Sequence, residues 1–389
     1  MATRARILMG EGVQDFGRLR IAFVIDSVVG WTAGGTERQL AWLIGSLDRR
    51  CFEPALFVLK NTSGLKIDRP SCPVYVLNAP SKGRSIKLFW DLRRQLSRFR
   101  PQIVQTFFYD ATLLGTIAAR STGVPIIVQS RRSVGHSQLG FVKRLVFRVA
   151  NQLTTSWQCN SQFVAASISQ AEGIPKSRIE IFPNILDSDY FRPAEPPERE
   201  VARRKLGLPI DTPVFISVSN LRPVKDLLTL VRAALQVREQ IPDARFAIIG
   251  EGPLQEDLAK EIGRLRLNSV VRLVGKQADV RTWLAAADIG ILTSRSEGSS
   301  NALLEYIATG LPAIVSDIPA NHELVHGVFF RTGDPADLAE KLLRLWQDPG
   351  EQGRLRDEHR EQVKAHSPDA IVLRLHRYYS SLAANHLCE

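Results

Sequence analysis

The chain has 389 residues, 44% apolar and 23% charged, which excludes disordered and fibrous classes and exceeds what one hydrophobic core comfortably serves. No apolar run approaches the ~18 residues of a bilayer span, and the first 20 residues carry four arginines without the apolar centre of a signal peptide, so a cytosolic protein is expected. The four cysteines, Cys51, Cys72, Cys159 and Cys388, lack C-x-x-C spacing, which argues against a zinc site and a disulfide framework.

The formal charge of +11 is unevenly placed. Residues 1–196 hold 26 Lys and Arg against 14 Asp and Glu, and the remainder 25 against 26. A basic front half suits a polyanionic partner, an anionic membrane surface or a nucleic acid, and solubility alone is the plain alternative.

In chain order, residues 1–19 read as a loosely held extension. Arg20 to Asp26 is a near-continuous apolar run that suits a strand buried on both faces of a parallel sheet. A glycine-rich turn with Gly30, Gly34 and Gly35 follows, then a helical pattern from Glu37. The G-x-G-x-x-G fingerprint is absent, which disfavours a dinucleotide; Gly34, Gly35 and Thr36 remain candidates to meet a sugar or phosphate at the sheet's carboxyl edge. Strands and helices then alternate up to a strand at Ile179–Phe182, with basic helices over Ile86–Phe99 and Leu139–Gln152, which predicts a doubly wound sheet. The acidic, three-proline stretch Asp187–Glu200 has no periodicity and reads as a linker. The expected domains are 1–192, 193–366, and a final helix over 367–389 returning to the first domain.

A second alternating series runs from Val214 to Ser316, and its loops carry the chemistry. S-N-L-R-P-V-K-D places Arg222 and Lys225 after its first strand, suited to clamp a diphosphate. The next strands end in G-E-G-P, with Gly252, and in V-G-K, with Lys276. The fourth loop reads S-R-S-E-G-S-S-N-A-L-L-E: Glu297 and Gly298 run into Ser299, Ser300 and Asn301, good N-cap types, before a helix from Ala302 that holds Glu305. A helix start of this kind is a seat for phosphate, and two carboxylates beside it accept hydrogen bonds from hydroxyls, as a nucleotide sugar requires. Each signal alone has an ordinary reading as a cap, a turn or a solvated cation. Their agreement at carboxyl ends of strands is what carries weight.

Residues 213–330, through S-N-L-R-P-V-K-D, G-E-G-P, L-V-G-K and above all the stretch from Ser294 to Pro319, resemble the donor half of family 4 retaining nucleotide-sugar glycosyltransferases. G-G-T-E-R-Q-L and I-F-P-N-I-L-D extend the resemblance to the front half. It implies an α/β protein of the GT-B fold, with two facing Rossmann-like domains of parallel sheets and C-terminal helices packing back across them. It further implies that Arg222 and Lys225 hold the diphosphate, Glu305 the ribose and Glu297 the transferred sugar. The amides of Ser299 to Ala302 would meet phosphate or sugar, and the loops at Gly252 and Lys276 would surround the base. No metal or other cofactor is implied, and a UDP-sugar is favoured over a GDP-sugar.

One departure stands out. Relatives carry an H-x-H pattern on the strand that here reads P-Q-I-V-Q-T-F-F-Y-D, where Gln105 and Phe107 occupy the matching positions. Neither exchanges protons, so Asp110 and His136 are the titratable candidates, with helix capping the plain role for Asp110. The expected reaction is hexosyl transfer with retention, in cell-surface glycan or glycolipid synthesis, to a lipid-linked or saccharide acceptor. Basic residues cluster at Arg84, Lys87, Arg93, Arg94, Arg98 and Arg100 and again at Arg131 and Arg132, and the helix bearing Lys143, Arg144 and Arg148 beside Phe141, Leu145 and Phe147 is suited to an anionic membrane face. The rivals are a nucleotide-sugar epimerase on the same fold and a non-catalytic basic binding protein; no nucleic-acid module is present.

Overall fold

The structure is a computed structural model that describes residues 17–28, 35–60, 71–77, 84–133 and 141–387; for 84, 85, 141–144 and 146 only the backbone is considered. The chain forms two compact units. One comprises the residues up to Ile185 together with the segment from Pro368, and the other is Leu186–Ser367.

The first unit holds a parallel sheet of seven strands: β1 Leu19–Ser27, β2 Phe52–Lys60, β3 Val74–Val76, β4 Ile103–Phe107, β5 Ile126–Arg131, β6 Ser156–Cys159 and β7 Ile179–Ile181, in the order β3-β2-β1-β4-β5-β6-β7. The apolar run at β1 is central, and Ile21 to Ile25 are fully buried because helices cover both faces. The helix Pro368–Leu387 belongs to this unit. Its Ile371, Leu375, Tyr378, Tyr379 and Ala383 recur at helical spacing and are all buried.

The second unit holds β8 Val214–Val218, β9 Arg245–Ile249, β10 Val271–Gly275, β11 Ile289–Leu292, β12 Ala313–Ser316 and β13 Val328–Phe330, in the order β10-β9-β8-β11-β12-β13, all parallel. The order reverses direction between β8 and β11, the switch point outside whose carboxyl ends open α/β sheets bind their ligands.

The stretch Asp187–Glu200 is not wholly a linker. A helix begins at Pro196 and runs to Leu206, with Glu195 and Glu198 forming a capping box. Pro196 and Pro197 are the first two helical positions, where the missing N–H would be unbonded in any case. Arg199 and Arg203 from this helix both bind Asp288, at 2.5 and 2.8 Å, and so tie the segment to the start of β11. Residues 1–16, with most of the expected extension, lie outside the described residues, as do Gly30, Gly34, His136 and Cys388.

Candidate active site

In the second unit the strand order places β10, β9, β8 and β11 side by side, so the four loops singled out in the sequence are neighbours along one edge. The strongest join is between the loops after β8 and β11. The Lys225 ammonium donates to Glu297 Oε1 at 2.5 Å, and Ser294 Oγ donates to the same oxygen at 2.6 Å. The backbone is clasped as well: Thr293 Oγ1 donates to the Lys225 carbonyl at 2.7 Å, and the Arg295 amide to the Val224 carbonyl at 2.8 Å. Arg295 also pairs with Asp226, at 3.0 Å, where the backbone turns left-handed at φ 47°. From behind, Ser316 Oγ donates to the Ser294 carbonyl and Asn321 Nδ2 to the Ser316 carbonyl. A cation and a carboxylate 72 residues apart are thus held in register by six separate bonds around them.

Arg222 opens the short 3₁₀ turn Pro223–Lys225; it is exposed and forms no ion pair among the described residues. Ser300 caps the helix Asn301–Ala308 by accepting from the Leu303 amide at 3.3 Å. Glu305 is 3% exposed on that helix, and its neighbour Tyr306 accepts a hydrogen bond from the Val218 amide at 2.7 Å while its ring lies against Gly290. The helix that carries Glu305 is thereby locked onto β8 and β11. Gly298 is buried, and Ser299, Asn301 and Ala302 are half-buried at the helix start.

The G-E-G-P loop has a more local reason for its glycines than ligand approach. A Cβ on Gly250 would fall 1.9 Å from the Ser219 carbonyl oxygen, and one on Gly252 2.6 Å from that of Leu221. Two-way bonds between Leu221 and this loop, Leu221 N to the Glu251 carbonyl and Leu254 N to the Leu221 carbonyl, both 3.0 Å, bring the loops together. The glycines therefore shape the loop bearing Arg222 and Lys225 from its other side. Lys276 is exposed and 3.5 Å from Glu251.

In the first unit, Gln105 and Phe107 are fully buried. Gln105 donates to Ser130 Oγ and Gln158 Oε1, each at 2.6 Å, and accepts from the Tyr379 hydroxyl, so it belongs to an internal network; Phe107 is core. Gly35 and Thr36 begin the helix Gly35–Ser46. Asp110 does not cap its own helix, Tyr109–Ser121. That role falls to Asp26 at the end of β1, whose carboxylate accepts from the amides of Asp110 (3.2 Å) and Ala111. The Asp110 carboxylate is left to pair with Lys60 at 2.6 Å. The elbow between β4 and this helix is strained, with Phe108 at φ 68° and ψ −178°, a region that non-glycine residues rarely enter. Arg131 does not extend the cationic front: it is 2% exposed, bonded to Glu172 at 2.7 Å and stacked over Phe147.

Asp26 escaped the sequence reading because it ends an apolar strand and nothing nearby marks it. Burial pushes its pKa from 3.8 up to about 6 against the opposing pull of the Ala111 amide. A raised carboxyl favours folding most when protonated, so this contribution is complete below pH ~4 and fades as the pH climbs through about 6. Asp26→Asn is expected to remove that slope from a plot of melting temperature against pH between 4 and 7; an unchanged slope would assign it to other groups.

Two family models match the chain: "Glycosyl transferase 4-like domain" over residues 34–185 and "Glycosyl transferases group 1" over residues 212–348. A UDP-Gal:alpha-D-GlcNAc-diphosphoundecaprenol alpha-1,3-galactosyltransferase of Escherichia coli is 31% identical over 294 residues, 69% of this chain and 74% of that protein. The lipopolysaccharide core biosynthesis glycosyltransferase LpsD of Rhizobium meliloti is 25% identical over 83% of this chain and 88% of its own length. Among solved structures, Anabaena HepE in complex with UDP and glucose superposes with a TM-score of 0.82 at 19% identity, covering 94% of this chain and all of that one. WaaG, a glycosyltransferase involved in lipopolysaccharide biosynthesis, gives 0.74 at 16% identity over 92% and 98%. The fold is GT-B, and the chain belongs to the group 1, or family 4, glycosyltransferases, retaining enzymes that transfer a hexose from a nucleotide sugar.

Proposed function

We propose that this enzyme transfers a hexose from a UDP-sugar to a lipid-linked saccharide at an anionic membrane surface. The observation that carries the donor half is the 2.5 Å contact of Lys225 with Glu297 inside the clasped loops after β8 and β11. A diphosphate seated against Lys225 and Arg222 puts the sugar next to Glu297, and Glu305 on the locked helix is within the same seat for the ribose. As the donor bond breaks, negative charge grows on the β-phosphate, and the two cations with the amides at Ser299 to Ala302 stabilise it. The departing phosphate accepts the acceptor's hydroxyl proton on the same face, which accounts for retention. The loops at Gly252 and Lys276 face the base; in the first unit, Asp110, Gly35 and Thr36 are the residues assigned to an acceptor. The galactosyltransferase relative supports a UDP-sugar and a diphospholipid-linked acceptor.

Binding of UDP to the donor unit is tested by thermal unfolding. A ligand at 100-fold its dissociation constant adds about 2.7 kcal/mol. UDP and UDP-sugars are expected to raise the melting temperature by several degrees, and GDP-sugars by little; a larger rise with GDP would reverse the choice of base.

The membrane reading rests on the helix Arg84–Phe99, where Ile86 and Trp90 are 70% and 57% exposed among Lys87, Arg93 and Arg94, with Arg93 lying over the Trp90 ring. On the helix Phe141–Gln152, Leu145 and Val149 are also exposed, beside Arg148. Aromatic and aliphatic groups ringed by cations suit the headgroup boundary, each cation adding about 1 kcal/mol. Trp90→Ala with Ile86→Ala is expected to lower co-flotation with phosphatidylglycerol vesicles at least tenfold. Equal flotation of variant and parent would remove this helix from the contact surface.

A further inference from the structure

The second unit has a pocket of about 660 Å³ near the starts of its strands, lined by Asp288, which precedes β11, and by Thr309 and Gly310, which follow the helix Asn301–Ala308. The clamp loops lie at the carboxyl ends of the strands. Its floor is apolar, made by Phe191, Leu284, Ile307 and Leu311, all 8% exposed or less. Its rim carries four guanidinium groups, those of Arg192, Arg199, Arg356 and Arg360. Two of these are neutralised: Arg192 pairs with Glu198 at 2.7 Å, and Arg199 with Asp288 at 2.5 Å. Asp288 has no charge to spare, because it also serves Arg203 at 2.8 Å.

The other two are under-compensated. Arg356 forms no ion pair among the described residues; its polar contact is a 3.3 Å bond to Gln352 Oε1 on its own helix. Its side chain is solvent-exposed at the rim, where partial desolvation and the nearby Arg199 act against its charge and Asp288 acts in its favour. Arg360, one turn further along the same face, reaches Asp357 at 3.8 Å, a pair that is well exposed. Volume, apolar floor and two guanidiniums with little local compensation are together what a ligand with an apolar body and an anionic head would meet.

We propose that this pocket binds an alkyl or aryl phosphate at a site separate from the donor seat. The phosphate lies against Arg356 and Arg360. The apolar body lies over Phe191, Ile307 and Leu311, where the carbonyl end of the helix Asn301–Ala308 disfavours an anion. The walls are the two segments by which the chain enters and leaves this unit: Ser188–Ala194 follows the entry at Leu186, and the helix Pro349–Val363 precedes the exit at Ser367. Entry and exit are already joined by a bond from the Leu186 amide to the His366 carbonyl at 3.1 Å. An occupant that bridges both walls stiffens that junction.

The test is calorimetric titration of the full chain with octyl phosphate below its micelle concentration, with 1-octanol and inorganic phosphate as controls. Octyl phosphate is expected to bind saturably and at least tenfold more tightly than either control, with affinity unchanged by saturating UDP. Arg356→Gln with Arg360→Gln, and separately Ala194→Trp to fill the void, are each expected to cost tenfold or more while the unliganded melting temperature stays within about 2 °C. Displacement by UDP, equal binding of octanol, or full affinity in the double variant would overturn the proposal. A second arm with phosphatidate vesicles identifies the source: loss of vesicle binding in the double variant points to a lipid headgroup, and loss of octyl phosphate binding alone to a free organic phosphate.

Discussion

Lys225→Ala is expected to lower kcat/KM for sugar transfer by about 10²–10³-fold, ~3–4 kcal/mol of transition-state stabilisation, with far-UV circular dichroism unchanged. The ammonium is held 2.5 Å from Glu297 in a loop whose backbone is fastened to its neighbour by Thr293 and Arg295, so its position does not depend on a ligand. A charge already oriented costs no reorganisation when the phosphate leaves, which is why its removal falls on kcat as well as on binding. Glu297→Ala is expected to reach a similar loss for a different reason, the sugar contact that we propose for it. Because each side chain orients the other, the double variant should be less impaired than the product of the two single effects. Initial rates with a UDP-sugar and a matched acceptor, or donor hydrolysis without one, measure all three. Full activity in Lys225→Ala would place the clamp elsewhere.

The second large effect is structural. Gly250→Ala requires a Cβ 1.9 Å from the Ser219 carbonyl oxygen at a backbone φ of 141°, so either the clamp loop or the G-E-G-P loop must move. A loss of at least ~3 kcal/mol is expected, a fall of roughly 6–12 °C for a unit of this size, with loss of nucleotide-induced stabilisation as well. Gly263→Ala serves as the control. It lies inside the helix Gln255–Arg264 with open space around it, and the exchange should stabilise the protein by up to about 1 kcal/mol. If Gly250→Ala unfolds no earlier than the parent, the close approach of the two loops is not what requires glycine there.

Much of the architecture was readable from local pattern. Apolar runs such as Arg20–Asp26 and Val214–Val218 announce buried parallel strands because both faces of the sheet are covered, and the observed sheets hold them at or next to the centre. The carboxyl-end loops to which we assign the donor were readable as motifs because each combines a turn, a cap and a charge within a few residues, as Ser300, Glu297 and Glu305 do. Segments governed by distant partners were read less well. Pro196 and Pro197 lie in a stretch read as a linker, yet the helix they begin is secured by Arg199 and Arg203 on Asp288, some 85 residues away. Arg131 looked like surface charge and is buried because Glu172 and Phe147 receive it.

The sequence alone therefore determined the two α/β sheets, the carboxyl-edge loops and the family, since these rest on short-range periodicity and on motifs whose chemistry is contained within about ten residues. Tertiary structure alone decided three things: that Lys225 and Glu297 are partners, that Asp26 rather than Asp110 caps the helix after β4, and that Gln105 is sealed in a network with Ser130, Gln158 and Tyr379. The reason is the same in each case. Parallel strands that are neighbours in the sheet are far apart in the chain, so the groups that meet at their ends leave no local spacing by which one could be inferred from the other.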